Sequence, residues 1–102
     1  MLLTRRQPVS PGEILEKEFL EPLEITQTQL ARALGVARKQ VNELCRNRRS
    51  ITADTALMLA RVFGNSAEFW LNLQRRTDLW QALNSPRRRK RIDRARPWRK
   101  AA

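Results

Sequence analysis

Thr26-Gln27-Thr28-Gln29-Leu30-Ala31-Arg32-Ala33-Leu34-Gly35-Val36-Ala37-Arg38-Lys39-Gln40-Val41-Asn42-Glu43-Leu44 reads as a helix, a tight turn and a second helix. Thr26 suits an N-cap, because its hydroxyl can accept from the free N–H groups of the first turn. Leu30, Ala31 and Leu34 recur at helical spacing and define an inward face. Gly35 stands where a left-handed residue closes a helix. Val41, Leu44 and Cys45 form the apolar row of the second helix. Ala31 is small where two helices must cross closely, and Val36 and Val41 pin the second helix onto the first.

The flanking sequence predicts more helices. Ser10-Pro11-Gly12-Glu13 is a capping-box pattern with proline at the first helical position, opening a helix over about 11–21. Its apolar face is Ile14, Leu15, Phe19 and Leu20, and Pro22 stops it. The central pair is expected over about 27–34 and 38–46, with a basic loop from Arg46 to Ser50. Thr52 caps a helix over about 53–63, whose Leu57, Leu59, Ala60 and Phe63 are available for the core. Ser66 caps a fifth over about 67–83, carrying Phe69, Trp70, Leu73, Leu79, Trp80 and Leu83. No stretch alternates as a strand does, and no internal repeat is visible. The expected organisation is an N-terminal arm (1–10), an all-α five-helix domain (11–85) and an Arg-rich tail (86–102). Like-charge repulsion and few apolar residues predict a disordered tail.

Composition narrows the function. The chain has 102 residues, enough for one domain. No run approaches the ~20 apolar residues of a membrane span, and the first residues lack a signal-peptide pattern, so a cytoplasmic protein without a membrane partner is expected. Histidine is absent, which removes the commonest general base and metal ligand. A single cysteine, ten scattered acids and three glycines offer no zinc spacing, calcium loop or phosphate-cradling motif. The expectation is therefore no catalytic residues, no metal, no cofactor and no enzyme. Cys45 reads as a small buried hydrophobe. The net charge is +11, which favours polyanionic partners. Nine of the 21 Lys and Arg residues lie between Pro86 and Lys100, against one acid, Asp93. The rest of the chain is only mildly basic.

With Val41, Leu44 and Cys45 inward, Lys39, Asn42, Glu43 and Arg46 fall on the outer face, and Arg38 and Gln40 at the helix's N-terminal end. Arg and Lys suit guanine, Asn and Gln suit adenine, and Glu accepts from cytosine. Gln27 begins the preceding helix, where side chain and backbone N–H can meet a phosphate. Arg48 and Arg49 would hold backbone phosphates. Most polar helix faces are merely solvated, but the helix–turn–helix spacing in front of this one favours reading of the DNA major groove.

The segment resembles the Cro/C1-type, phage-repressor-like helix-turn-helix family. Pro11-Gly12-Glu13-Ile14-Leu15, Gln29-Leu30-Ala31 with Leu34-Gly35-Val36, Asn47-Arg48-Arg49-Ser50-Ile51-Thr52 and Phe69-Trp70-Leu71-Asn72-Leu73-Gln74 resemble HigA-type antitoxins more specifically. The last element discriminates best. The resemblance covers about Pro8 to Leu83 and implies a lambda-repressor-like fold. It implies an antitoxin of a type II toxin–antitoxin pair, which silences a HigB/RelE-like mRNA-cleaving toxin, dimerises and represses its own operon at a palindromic operator. It maps base contacts onto Arg38, Lys39, Gln40, Asn42, Glu43 and Arg46, and phosphate contacts onto Gln27 and Arg48. Two features depart from the family pattern. Ala37 replaces the usual Ser or Thr N-cap of the reading helix, and the Arg-rich tail does not follow from the family pattern.

Three further expectations concern partners. Between Glu13 and Glu24 stand five acids and one base. DNA would repel them and a basic ribonuclease would be attracted, so Glu16, Glu18 and Glu21 are candidate toxin contacts. Phe69, Trp70, Leu73 and Trp80 exceed what one helix end needs for a small core and are candidates for a homodimer face. The tail is a candidate electrostatic arm for DNA, with RNA or an acidic protein as alternatives. The competing functions are a transcriptional regulator without a toxin and a basic nucleic-acid-packaging or RNA-binding protein.

Overall fold

A computed structural model describes residues 6–98. The first five residues of the expected arm and the last four of the tail lie outside the described residues. The elements in order are α1 (Pro11–Ile14), a π-helical segment (Leu15–Leu20), α2 (Gln27–Leu34), α3 (Arg38–Cys45), α4 (Ala53–Phe63), α5 (Ala67–Asn84) and α6 (Pro86–Asp93). No strand occurs among the described residues, and none of the helices is long and apolar enough to cross a membrane.

Local chemistry sets the helix starts. Ser10, Thr26, Thr52 and Ser66 have extended backbones, and each side-chain oxygen accepts from the backbone N–H three residues on. At Thr26 the capping box is reciprocal, because Gln29 Oε1 accepts from the Thr26 N–H at 2.9 Å. Gly35 and Gly64 close α2 and α4 with φ of +73° and +71°. A Cβ is unfavourable in that region, so both turns call for glycine.

The first helix differs from the expected α-helix in its second half. Glu21 N–H donates to Glu16 O at 3.0 Å and Ile25 N–H to Leu20 O at 2.9 Å, both spanning five residues. Residues five apart then lie much closer in angle around the axis than they would in an α-helix. That brings Leu20 round to the side of Leu15, and both are buried. Phe19 faces the same core, with ring centroids 4.8 Å from Phe63 and 4.9 Å from Trp70.

The core joins all the helices up to α5. Leu15, Leu30, Val41, Ala56, Leu59 and Trp70 are its most buried members. Trp70 is wholly enclosed, and its indole N–H donates to Asn65 Oδ1 at 2.9 Å. This corrects the expectation that Trp70 lies on a dimer face: its ring and its polar atom are both satisfied within one protomer. Leu57, expected in the core, is 62% exposed, because α4 turns Thr55, Ala56 and Leu59 inward instead. Cys45 is buried as expected. Burial, with a contribution from the Glu16 carboxylate, pushes its thiol up to about 11.

The Arg-rich run departs in part from the expected disorder, since Pro86–Asp93 is helical. Ser85 caps α6, with its Oγ 3.4 Å from Arg88 N, and Pro86 sits in the first turn. Arg89 and Asp93 pair one turn apart at 3.2 Å. A cap, a starting proline and a run of good helix formers outweigh the repulsion that the charge count emphasised. Residues 95–98 have no regular secondary structure.

α1 approaches the end of α3 closely at Gly12. A Cβ added at Gly12 would lie 2.5 Å from the carbonyl oxygens of both Leu44 and Cys45. Backbone on both sides leaves little room to relax. Gly12→Ala is expected to lower the unfolding free energy by about 1–3 kcal/mol, read as a lower urea midpoint. An unchanged midpoint would show that α1 moves off α3 without cost.

Candidate nucleic-acid interface

The α2–turn–α3 unit is fixed by backbone hydrogen bonds at the turn. Gly35 N–H donates to Arg32 O at 3.2 Å and Val36 N–H to Ala31 O at 3.0 Å. This satisfies the carbonyls that α2 would otherwise leave open. Leu30, Ala31 and Leu34 of α2 and Val41, Leu44 and Cys45 of α3 are buried between the helices and the rest of the core.

The opposite side of α3 is polar and accessible. Arg38, Lys39 and Arg46 are exposed, while Gln40, Asn42 and Glu43 are half-buried. Arg48 and Arg49 are exposed on the loop that follows. Among the described residues Arg38, Lys39, Arg46 and Arg48 make no ion pair. The fold therefore gathers the candidate residues of α3 and its following loop onto one surface.

Two pairings organise that surface. Asn42 Nδ2 donates to Gln27 Oε1 at 3.1 Å. The expected phosphate-contacting residue of α2 is thus tied to an expected base-contacting residue of α3, and both rotamers are held before any ligand arrives. The Arg49 guanidinium meets Glu43 Oε1 through Nη2 at 2.9 Å and Nε at 3.1 Å. Arg49 and Glu43 share each other's charge, unlike the unpaired Arg48 next to them.

Asn47 was missed as a positioning residue by reasoning from side-chain type alone. It has a left-handed backbone, φ +58°, just after α3. Its Oδ1 accepts from Gly12 N–H at 2.9 Å and its Nδ2 donates to Ser10 Oγ at 2.9 Å. The C-terminal end of α3 is thereby tied to the start of α1. The available signal was asparagine at a helix end, since Asn tolerates the left-handed region better than most residues. Gln74 was missed as well: its Oε1 accepts from Ile51 N–H at 2.8 Å and secures the end of the basic loop to α5.

Of the other candidate groups, Glu16 and Glu21 line a depression that also takes in Gln27. Glu16 is half-buried, and Glu18 and Glu21 are exposed, with Glu21 paired to Lys17 at 3.2 Å. Along α5, Phe69 is 38% exposed and Leu73 and Trp80 are half-buried.

An exposed cationic helix held by a glycine turn against a second helix defines a helix-turn-helix protein, and residues 17–70 match the family model described as helix-turn-helix. The chain is 50% identical over 84 residues to Antitoxin HigA-1 of Vibrio cholerae serotype O1, covering 82% of this chain and 79% of that one. The solved structure of Pseudomonas aeruginosa antitoxin HigA with the higBA promoter superposes with a TM-score of 0.78 at 42% identity, over 88% of this chain and 96% of that one. Antitoxin GraA in complex with its operator gives a TM-score of 0.82 at 36% identity, over 97% and 99%. The chain belongs to the HigA family of antitoxins within the helix-turn-helix proteins.

The family's usual N-cap on α3 is missing. Ala37 has the extended backbone of an N-cap, φ −72° and ψ 147°, but no side-chain oxygen to accept. Ala37→Ser should supply it without moving the chain. The expected result is a stability gain of about 0.5–1.5 kcal/mol and slower amide exchange at Lys39 and Gln40. No gain would mean that another group already satisfies the first turn of α3.

Proposed function

We propose that this chain is a sequence-specific DNA-binding antitoxin that represses its own operon and silences a HigB/RelE-like mRNA-cleaving toxin in the cytoplasm. The observation that carries the DNA reading is the Gln27–Asn42 hydrogen bond beneath the exposed cations of α3. It pre-organises a polar pair where helix-turn-helix proteins meet phosphate and base. In support, the related HigA and GraA structures are described with a promoter and an operator. Arg38, Lys39, Gln40, Asn42, Glu43 and Arg46 are assigned to the groove, and Gln27, Arg48 and Arg49 to the backbone.

A palindromic operator requires a homodimer that presents two copies of α3 about one DNA turn apart. Phe69, Leu73 and Trp80 are assigned to its interface. The toxin is assigned to the acidic side, Glu16, Glu18 and Glu21. An enzyme that cleaves mRNA must carry a cationic face, and these carboxylates complement one.

Anisotropy with a duplex from immediately upstream of the gene, against a scrambled duplex, tests the DNA assignment. A preference of about 10³-fold or more is expected, and Lys39→Ala with Asn42→Ala should abolish it. Equal binding to both duplexes would overturn autorepression through α3. For the toxin, E16K/E18K/E21K should weaken capture of the neighbouring gene's product without weakening operator binding, since added cations beside Gln27 can only favour DNA. Unaltered capture would sink the acidic-face assignment, and no capture by the parent chain would favour a regulator without a toxin.

A further inference from the structure

The helical order in the Arg-rich run has a consequence that its charge alone does not. Helical spacing places Arg87, Lys90, Arg91 and Arg94 within an arc of about 100° on α6 and its C-cap. All four are exposed, and none has an ion-pair partner among the described residues. The one acid of the helix, Asp93, lies off this stripe and is paired with Arg89. Arg88 and Ile92 occupy a different side. Arg88 turns towards α5, where it lines a groove with Ile51, Gln74, Arg75, Asp78 and Ala82.

That groove connects α6 to the candidate DNA surface. Ile51 ends the loop carrying Arg48 and Arg49, and its backbone is held by Gln74 of α5. Through Arg88 and Ile51, α6 thus sits against the end of the loop that carries Arg48 and Arg49, with the Arg87–Lys90–Arg91–Arg94 stripe on its outward side.

We infer that the Arg87–Lys90–Arg91–Arg94 stripe of α6 is a second DNA surface, which holds the phosphate backbone of duplex DNA beside the segment read by α3. This rests on the DNA-binding reading of α3 but is tested separately from it. The stripe runs about 10 Å along the helix axis. B-DNA carries a phosphate every 3.4 Å per strand, so a stripe of this length can face two or three of them. It is made of cations alone, with no amide to pair with adenine and no aromatic ring to stack on a base. Assigned to phosphates, the surface adds affinity and salt dependence alike for every duplex, and the scrambled duplex in the test separates this from guanine reading by its arginines.

The test is R87Q/K90Q/R91Q/R94Q in the full chain, with circular dichroism to confirm retained helix. Affinity for the upstream duplex and for a scrambled duplex is measured across salt concentrations. The log–log slope should fall by about two to three, at ~0.9 per phosphate released. Both duplexes should lose affinity by a similar factor, about tenfold or more near physiological salt. The Lys-for-Arg variant R87K/R91K/R94K should keep the parental slope, because charge rather than guanidinium geometry is at work. Unchanged slope and affinity in the Gln variant overturn the inference. So does a loss confined to single-stranded RNA of equal length, which would assign the stripe to RNA. Lys39→Ala with Asn42→Ala separates the two surfaces: it should erase the preference for the upstream duplex and leave the α6 increment of slope in place. If that pair leaves the preference intact, the α3 reading fails while the α6 result stands on its own slope.

Discussion

The orientation of α3 depends on how closely α1 approaches it. Gly12 lies against the carbonyls of Leu44 and Cys45, and its N–H donates to Asn47 Oδ1 at 2.9 Å. A groove reader needs its helix fixed to within a fraction of an ångström, since each base-edge hydrogen bond tolerates little displacement. The domain achieves this from both ends of α3. The N-terminal end is held by the Gly35 turn and the Val36–Ala31 hydrogen bond, and the C-terminal end by Asn47 on Ser10 and Gly12. Ala37 gives up a capping bond at one end, and the tertiary ties at the two ends keep the helix in place without it.

The core explains why those ties hold. The π-helical segment delivers Leu15, Phe19 and Leu20 together to Phe63 and Trp70, which α4 and α5 bring from the far half of the chain. The indole of Trp70 is buried with its N–H satisfied by Asn65, so the aromatic centre carries no unpaired polar cost there. Gln74 then extends the same scaffold outward, because its hydrogen bond to Ile51 N–H fixes the far end of the Arg48–Arg49 loop. The surface proposed for DNA is thus braced at three places by residues that do not belong to it.

Features governed by local chemistry were legible in the sequence. Ser10, Thr26, Thr52 and Ser66 announce helix starts, Gly35 announces the turn, and the Leu30-Ala31-Leu34 and Val41-Leu44-Cys45 rows announce the buried seam. Features set by packing were not. Nothing in Leu15–Leu20 distinguishes a five-residue ladder from a four-residue one until Leu20 must face the core. Leu57 and Trp70 are both large and apolar, and only the placement of α4 and α5 decides that one is exposed and the other enclosed. Asn47 looked like a loop residue because its partners, Ser10 and Gly12, lie 37 and 35 positions away. The Gln27–Asn42 and Glu43–Arg49 pairings likewise required the turn to be built before either could be seen.

Charge is segregated along the chain, and the fold brings the two kinds of charge near each other at the start of α2. The acids of α1 and the π-helical segment precede α2, whereas the cations of α3, its loop and α6 follow it. A uniformly basic domain of net charge +11 would attract any polyanion from every side. Here Glu16, Glu21 and Glu24 line a depression that reaches Gln27 at the start of α2, so the acids border the region of α2 and α3. Glu43 is the exception that sharpens the point: set among cations on α3, it is neutralised locally by Arg49 at 2.9 Å, and so does not repel the phosphates its neighbours are placed to meet.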